Sequence, residues 1–176
     1  MANREALREL QSRLAGRLQA ARSQGVQAGW LAVEAGGRKY LFPLSQAGEI
    51  FPFTAPQRVP YTQGWFLGVA NLRGGLYGVA DLASFASGQP PAPRSDAARA
   101  EARLIALNAL LDTNCALLVD RLAGLRNIDA FTASSERPAD SPDYFGSGYT
   151  DAGGIYWQEL NLQALSQQPQ FLSISA

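Results

Sequence analysis

The sequence predicts a mainly β protein whose two halves each form a small barrel of about five short strands. Three observations carry this reading. The 176 residues are 47% hydrophobic and only 17% charged, with 17 glycines and 10 prolines, a composition that suits neither a disordered chain nor a helical bundle. Short apolar runs recur every 8 to 12 residues from Trp30 onward, separated by glycine-containing turns. A proline-rich stretch, Gly88-Gln89-Pro90-Pro91-Ala92-Pro93, divides these runs into two groups.

Before the first run, leucines at 7, 10, 14 and 18 are spaced 3, 4 and 4 among Arg and Glu, which predicts an N-terminal amphipathic helix within residues 1–27. Gly25 and Gly29 release the chain after it. Packing on the parent globule and docking a partner helix both fit the stripe. Residues 28–170 then read as one domain, with a first lobe over about 28–87, a connector at 88–93 and a second lobe over about 94–170.

In the first lobe, Trp30–Val33 and Arg38–Phe42 flank Gly36-Gly37, a hairpin signal because glycine accepts positive φ. Gln46–Phe51 is a third run, closed by Pro52. Phe66–Leu72 and Gly75–Ala80 form a second hairpin that turns at Arg73-Gly74, and Asp81 is placed to cap a short helix over Leu82–Ser87 that stops at Gly88. In the second lobe, Ala102–Leu107 and Cys115–Val119 surround a polar Asp112-Thr113-Asn114 turn, and Ala123–Ile128 reads as a further strand. Phe131–Gly148 is rich in Ser, Pro, Asp and Gly and reads as a long loop. Tyr149–Asp151 and Ile155–Glu159 flank Gly153-Gly154, and Leu160–Gln167 reads as a short helix.

Composition also excludes chemistry. The chain has no histidine, which removes Ser-His-Asp and Cys-His catalysis, phosphohistidine relay and most zinc sites. Cys115 is the one cysteine, which leaves no intramolecular disulfide and fits a reducing compartment, and its apolar neighbours mark it as a small buried hydrophobe. Lys39, the one lysine, has no activating neighbour, and the aspartates are scattered among turns where they satisfy backbone N–H groups. Phosphate-binding loops, nucleophile elbows and calcium loops are absent from the sequence. Fifteen basic and fifteen acidic side chains balance to a net charge of zero, removing the field of a dedicated nucleic-acid binder. A single-strand binder stacking bases on its 17 aromatics is the alternative from another class, and a hydrolase with a fold-assembled carboxylate pair is a third. No apolar run approaches a membrane span, and the N-terminus is not a secretory signal. A soluble, cytoplasmic protein without cofactor or metal is expected.

The stretch from Val59-Pro60-Tyr61 through Gly68-Val69-Ala70-Asn71-Leu72-Arg73-Gly74 to Ala80-Asp81-Leu82 resembles the CheW family of chemosensory coupling proteins. The similarity extends to Gly48-Glu49-Ile50, to Arg103–Leu107, to the Val119-Asp120 element ending at Gly124, and to Tyr149–Gly153. It covers roughly residues 28–167. Gly78 stands where the family usually has proline, and Asn114-Cys115 where a glycine is usual. Within the family the chain looks most like the coupling proteins of type IV pilus chemosensory systems, which control twitching motility, rather than flagellar ones.

The resemblance implies two five-stranded SH3-like β-barrels packed together and a non-enzymatic role. Such an adaptor links the cytoplasmic tip of a methyl-accepting chemoreceptor to the regulatory domain of a CheA-type histidine kinase. It would sit in arrays at the inner face of the membrane without entering it, and would bind no nucleic acid. By the same resemblance, Ala47, Glu49 and Phe51 on the third strand are expected to contact a partner. Asn71, Arg73 and Gly74 at the hairpin turn are expected to do so as well, and Leu104 and Ile105 to line an inter-lobe groove. Each has a structural alternative. Arg73 satisfies carbonyls of its turn or meets a partner carboxylate. Gly74 serves the turn geometry or close approach of a partner. Glu49 is a partner contact or an ordinary solvent-side residue, and Phe51 is surface or core. Leu104 and Ile105 alternate faces, so only one of them can face a given groove.

Overall fold

A computed structural model describes residues 29–176, so the helix expected within residues 1–27 lies outside the described residues. Eleven strands occur in the described chain: β1 (Trp30–Ala35), β2 (Arg38–Pro43), β3 (Ala47–Pro52), β4 (Phe66–Leu72), β5 (Gly75–Asp81), β6 (Arg103–Leu107), β7 (Cys115–Val119), β8 (Arg121–Arg126), β9 (Phe131–Ser135), β10 (Phe145–Asp151) and β11 (Tyr156–Leu160). Short helices are α1 (Leu82–Ser87), α2 (Asp96–Glu101), α3 (Leu162–Ser166) and α4 (Pro169–Leu172), with single 3₁₀ turns at Ala109–Leu111 and Ile128–Ala130.

The strands form two sheets, ordered β8-β1-β2-β11-β10-β9 and β3-β6-β7-β5-β4. Most neighbours are antiparallel, but β2–β11 and β5–β7 are parallel. The first sheet has six strands, one more than expected. The extra one is β9, in the segment read as loop: Phe131-Thr-Ala-Ser-Ser offers a single large apolar side chain, and its strand state comes from pairing with β10. The 88–93 connector does not divide the strands between the sheets. β1 and β2, before it, pair with β8 and β11, after it, and β3 and β5 pair with β6 and β7. Helix α2 was not anticipated, because it buries no residue and so has no apolar period; Ser95 caps it by accepting from the Ala98 N–H at 3.2 Å.

Both sheets curl. Trp30 of β1 meets Phe131 of β9 and Tyr149 of β10 across the first, at ring-centroid distances of 5.8 and 4.9 Å. In the second, the chain just beyond β3 bridges to β4 through paired Gln57–Val69 backbone bonds of 2.8 and 2.9 Å. Alternating side chains therefore enter different cores. Ala32, Leu41 and Trp157 fill the first lobe, Ala70, Leu104, Ala116 and Leu118 fill the second, and Leu31, Val33, Phe42, Ile105, Leu117 and Val119 pack between them. Strands buried on both faces explain the near-continuous apolar runs of β6 and β7. Cys115 is buried in the central core, where desolvation pushes its thiol up to about 12, so it is inert as a nucleophile.

Asp81 accepts from the Ser84 N–H at 3.0 Å and caps α1, as expected from sequence, but its other oxygen meets Arg94 Nη1 at 2.8 Å. The same guanidinium reaches Asp120 at 2.9 Å, and Asp120 accepts from the Gly36 N–H at 2.8 Å. Asp120 is the one residue between β7 and β8, where the chain passes from one sheet to the other. Glu34 is held by Arg121, at 2.6 Å, and by Lys39. Hydrogen bonds from these two cations lower its carboxyl to about 2.

Three outcomes follow for folding. Gly68 has φ +129°, and a Cβ there would lie 2.0 Å from the Gln57 carbonyl, so Gly68→Ala must open the Gln57–Val69 bridge; urea titration should show a loss of about 2–4 kcal/mol. Arg94→Met leaves Asp81, 1% exposed, without its cation and should cost about 3–5 kcal/mol, with much less lost when Asp81→Asn is combined with it. The stabilisation from Glu34 is present above its unfolded value, near 4.5, and fades as pH falls towards about 2. Glu34→Gln should therefore flatten the acid limb of thermal stability between those pH values.

Candidate functional site

The expected contact residues separate by burial. Leu104 and Ile105 are fully buried, Leu104 inside the second lobe and Ile105 in the core between lobes. The groove they were expected to line is closed core, because both faces of β6 are covered. Phe51 is 5% exposed and belongs to the second lobe's interior, which decides its alternative in favour of core. Ala47 is half-buried against the central core. Glu49, Asn71, Arg73 and Gly74 are exposed, and the fold brings Glu49 and Arg73 together.

That meeting has a backbone origin. β3 is an edge strand, and its register with β6 shifts between Ala47 and Ile50. Gly48 makes the irregularity possible, since a Cβ there would lie 2.9 Å from the Leu107 carbonyl oxygen. On the other side, Leu72 pairs with Gly75, leaving Arg73-Gly74 as a two-residue turn with φ +49° and +81°. Two successive positive φ values are the geometry of a type I′ hairpin. Gly74 suits it without cost and has open space around it. Asn71 Oδ1 accepts from the Gly74 N–H at 2.8 Å and holds the loop.

Arg73 is the exception, a long side chain in the left-handed region, which costs about 1–2 kcal/mol. Its guanidinium forms an ion pair with Glu49 and lies 6.0 Å from the Phe51 ring centroid. It therefore follows neither expected alternative by itself: its partner within the chain is a side-chain carboxylate of the neighbouring edge strand. With the Arg73 side chain 76% exposed and that of Glu49 45% exposed, the pair is a screened surface interaction that adds little stability. Its effect is positional, pointing one cation and one anion outward from a rigid base. Phe51 and Tyr77, with ring centroids 6.1 Å apart, make that base.

Two apolar side chains flank the pair and were not singled out from sequence. Leu76 is 64% exposed and lies opposite Asn71, and Ile50, next to Glu49, is 38% exposed. Leu76 was legible in principle: Tyr77 and Val79 face the core at period two, so Leu76 must face out. The site is thus a surface patch with a strained turn, an ion pair and two exposed aliphatic side chains. Among the described residues, no group of three or more His, Cys, Asp or Glu could hold a metal ion. No helix among them is long and apolar enough to cross a membrane.

Comparison with known proteins agrees with this architecture. The chain is 27% identical over 144 residues to protein PilI of Pseudomonas aeruginosa, an alignment that spans 80% of this chain and 76% of PilI. The crystal structure of the scaffolding protein TtCheW from Thermoanaerobacter tengcongensis superposes with a TM-score of 0.60 at 16% identity, covering 76% of this chain and 88% of TtCheW. Residues 29–170, from the start of β1 into α4, match the CheW-like domain, and the chain belongs to that family of chemosensory coupling and scaffolding proteins.

Proposed function

We propose that this protein is a non-enzymatic cytoplasmic adaptor that couples the tip of a methyl-accepting chemoreceptor to the regulatory domain of a CheA-type histidine kinase, in an array that governs type IV pili and twitching motility. The observation that carries the reading is the exposed Glu49–Arg73 pair on its strained turn. A non-glycine residue held at positive φ with only an exposed, screened ion pair in return fits a contact made outside the chain. The flanking Ile50 and Leu76 supply the apolar centre, and Glu49, Asn71 and Arg73 the polar rim, of a protein–protein contact. Likeness to PilI supports the pilus assignment over a flagellar one.

Coupling of this kind needs no bond chemistry. Three packed cores make the two lobes a stiff body, so a partner seated on the β4–β5 turn is fixed relative to one seated elsewhere. The charged pair sets orientation and register, while a few aliphatic anchors dominate affinity.

The reading is tested by titrating the full chain separately with a receptor signalling-tip fragment and with the kinase regulatory domain. The unmodified chain should bind both. Arg73→Glu should weaken one of the two at least tenfold, about 1.4 kcal/mol, while the melting temperature stays within a degree or two. The double variant Glu49→Arg with Arg73→Glu re-forms the internal pair with reversed polarity and should remain defective. Rescue by the double variant, or unaltered binding of both partners by Arg73→Glu, would refute a direct contact by Arg73; a loss of several kcal/mol in unfolding would assign the pair to the turn instead.

A further inference from the structure

The chain enters the described fold at Gly29, whose N–H donates to the Arg126 carbonyl at 2.9 Å and whose carbonyl accepts from the Leu44 N–H at 3.1 Å. Antiparallel pairing of Trp30 with Arg126 and Leu31 with Leu125 sets Gly29 at the end of β8, which the chain leaves through Asn127 and Ile128. Here the surface is unusually apolar. Leu125 is 57% exposed and Ile128 59% exposed, although Leu125 sits opposite a core leucine. Backbone hydrogen bonds link this corner to the second lobe. Two residues beyond Leu44, the Gln46 carbonyl accepts from the Asn108 N–H at 2.8 Å, and the 3₁₀ turn that follows presents Leu110, 89% exposed. Exposed carboxylates flank both positions, Asp112 after Leu111 and Asp129 after Ile128.

We infer that residues 3–22 of this same chain dock on this corner, with Leu7, Leu10, Leu14 and Leu18 covering Leu110, Leu125 and Ile128. Three features select the chain's own N-terminal segment as the occupant. The first is attachment: residues 23–28 are six residues, which reach no more than about 20 Å when extended, so the leucine stripe is tethered beside Ile128. The second is pattern, since the leucines recur at 3, 4 and 4 and form one apolar face if helical. The third is charge. Residues 1–28 hold five arginines and two glutamates, which complements Asp112 and Asp129. Tethering at such short range raises the effective concentration of the segment into the millimolar range, so a modest apolar contact suffices.

The contact can be read in the full chain by paramagnetic relaxation. Ser12→Cys, off the leucine stripe, places one reactive thiol for a nitroxide, while buried Cys115, with its raised thiol, stays unlabelled. Amide signals of Leu110, Leu125 and Ile128 should lose more than half their intensity, while those of the β4–β5 turn at Arg73 keep theirs. Adding Leu110→Ser and Leu125→Ser, both at exposed positions where folding tolerates the change, should abolish the selective loss. A mixture of spin-labelled unenriched chain with isotope-enriched unlabelled chain should show no effect. Uniform or absent attenuation would overturn the inference. Selective attenuation in the mixed sample would overturn it too, assigning the corner to a second copy.

Discussion

Arg94 is the residue on which the two-lobed arrangement turns. It follows the proline connector, and its guanidinium joins Asp81, at the end of β5, to Asp120, between β7 and β8. Asp81 belongs to the second sheet and caps α1, whereas Asp120 also holds the β1–β2 turn of the first sheet through Gly36. One planar group with several fixed donors thus ties the connector, the crossover and both sheets together. Such a cluster is not a generous source of net stability, because the Asp81 carboxylate and most of the Arg94 side chain must leave water. It is demanding in geometry, and a misplaced lobe would leave a buried carboxylate without a partner.

That constraint bears on function because coupling depends on fixed angles between surfaces. Interleaved strands make the lobes inseparable: neither sheet is complete without chain from both sides of the connector. The second lobe is closed by the Gln57–Val69 bridge over Gly68, and the β4–β5 hairpin projects from this closed body. A charged pair on a flexible loop would cost ordering entropy whenever a partner arrived. Here the Asn71–Gly74 bond, the irregular edge at Gly48 and the Phe51–Tyr77 base have already spent it. The surface proposed to meet a partner is small, polar at its rim and rigid from beneath.

Much of the fold was legible from local patterns. The Gly36-Gly37, Arg73-Gly74 and Gly153-Gly154 turns, the Asp81 cap with its Gly88 stop, and the buried character of Cys115 each rest on neighbouring residues, and each is found where expected. The site was less legible. Glu49, Asn71, Arg73 and Gly74 are exposed, but Phe51, Leu104 and Ile105 are core. An apolar strand residue shows only that it is buried on some face, and a strand sandwiched between two cores has no free face to offer.

By itself, the sequence determined element type, turn positions, the dearth of catalytic groups and the coupling-protein resemblance, because these depend on composition and on contacts within a few residues. Tertiary structure alone decided which strands share a sheet, that β9 exists, and that Asp81, Arg94 and Asp120 converge from positions 13 to 39 residues apart. It also decided that Glu49 faces Arg73. Each of these depends on partners far away along the chain, whose meeting is set by how the curled sheets pack and carries no local periodic signature.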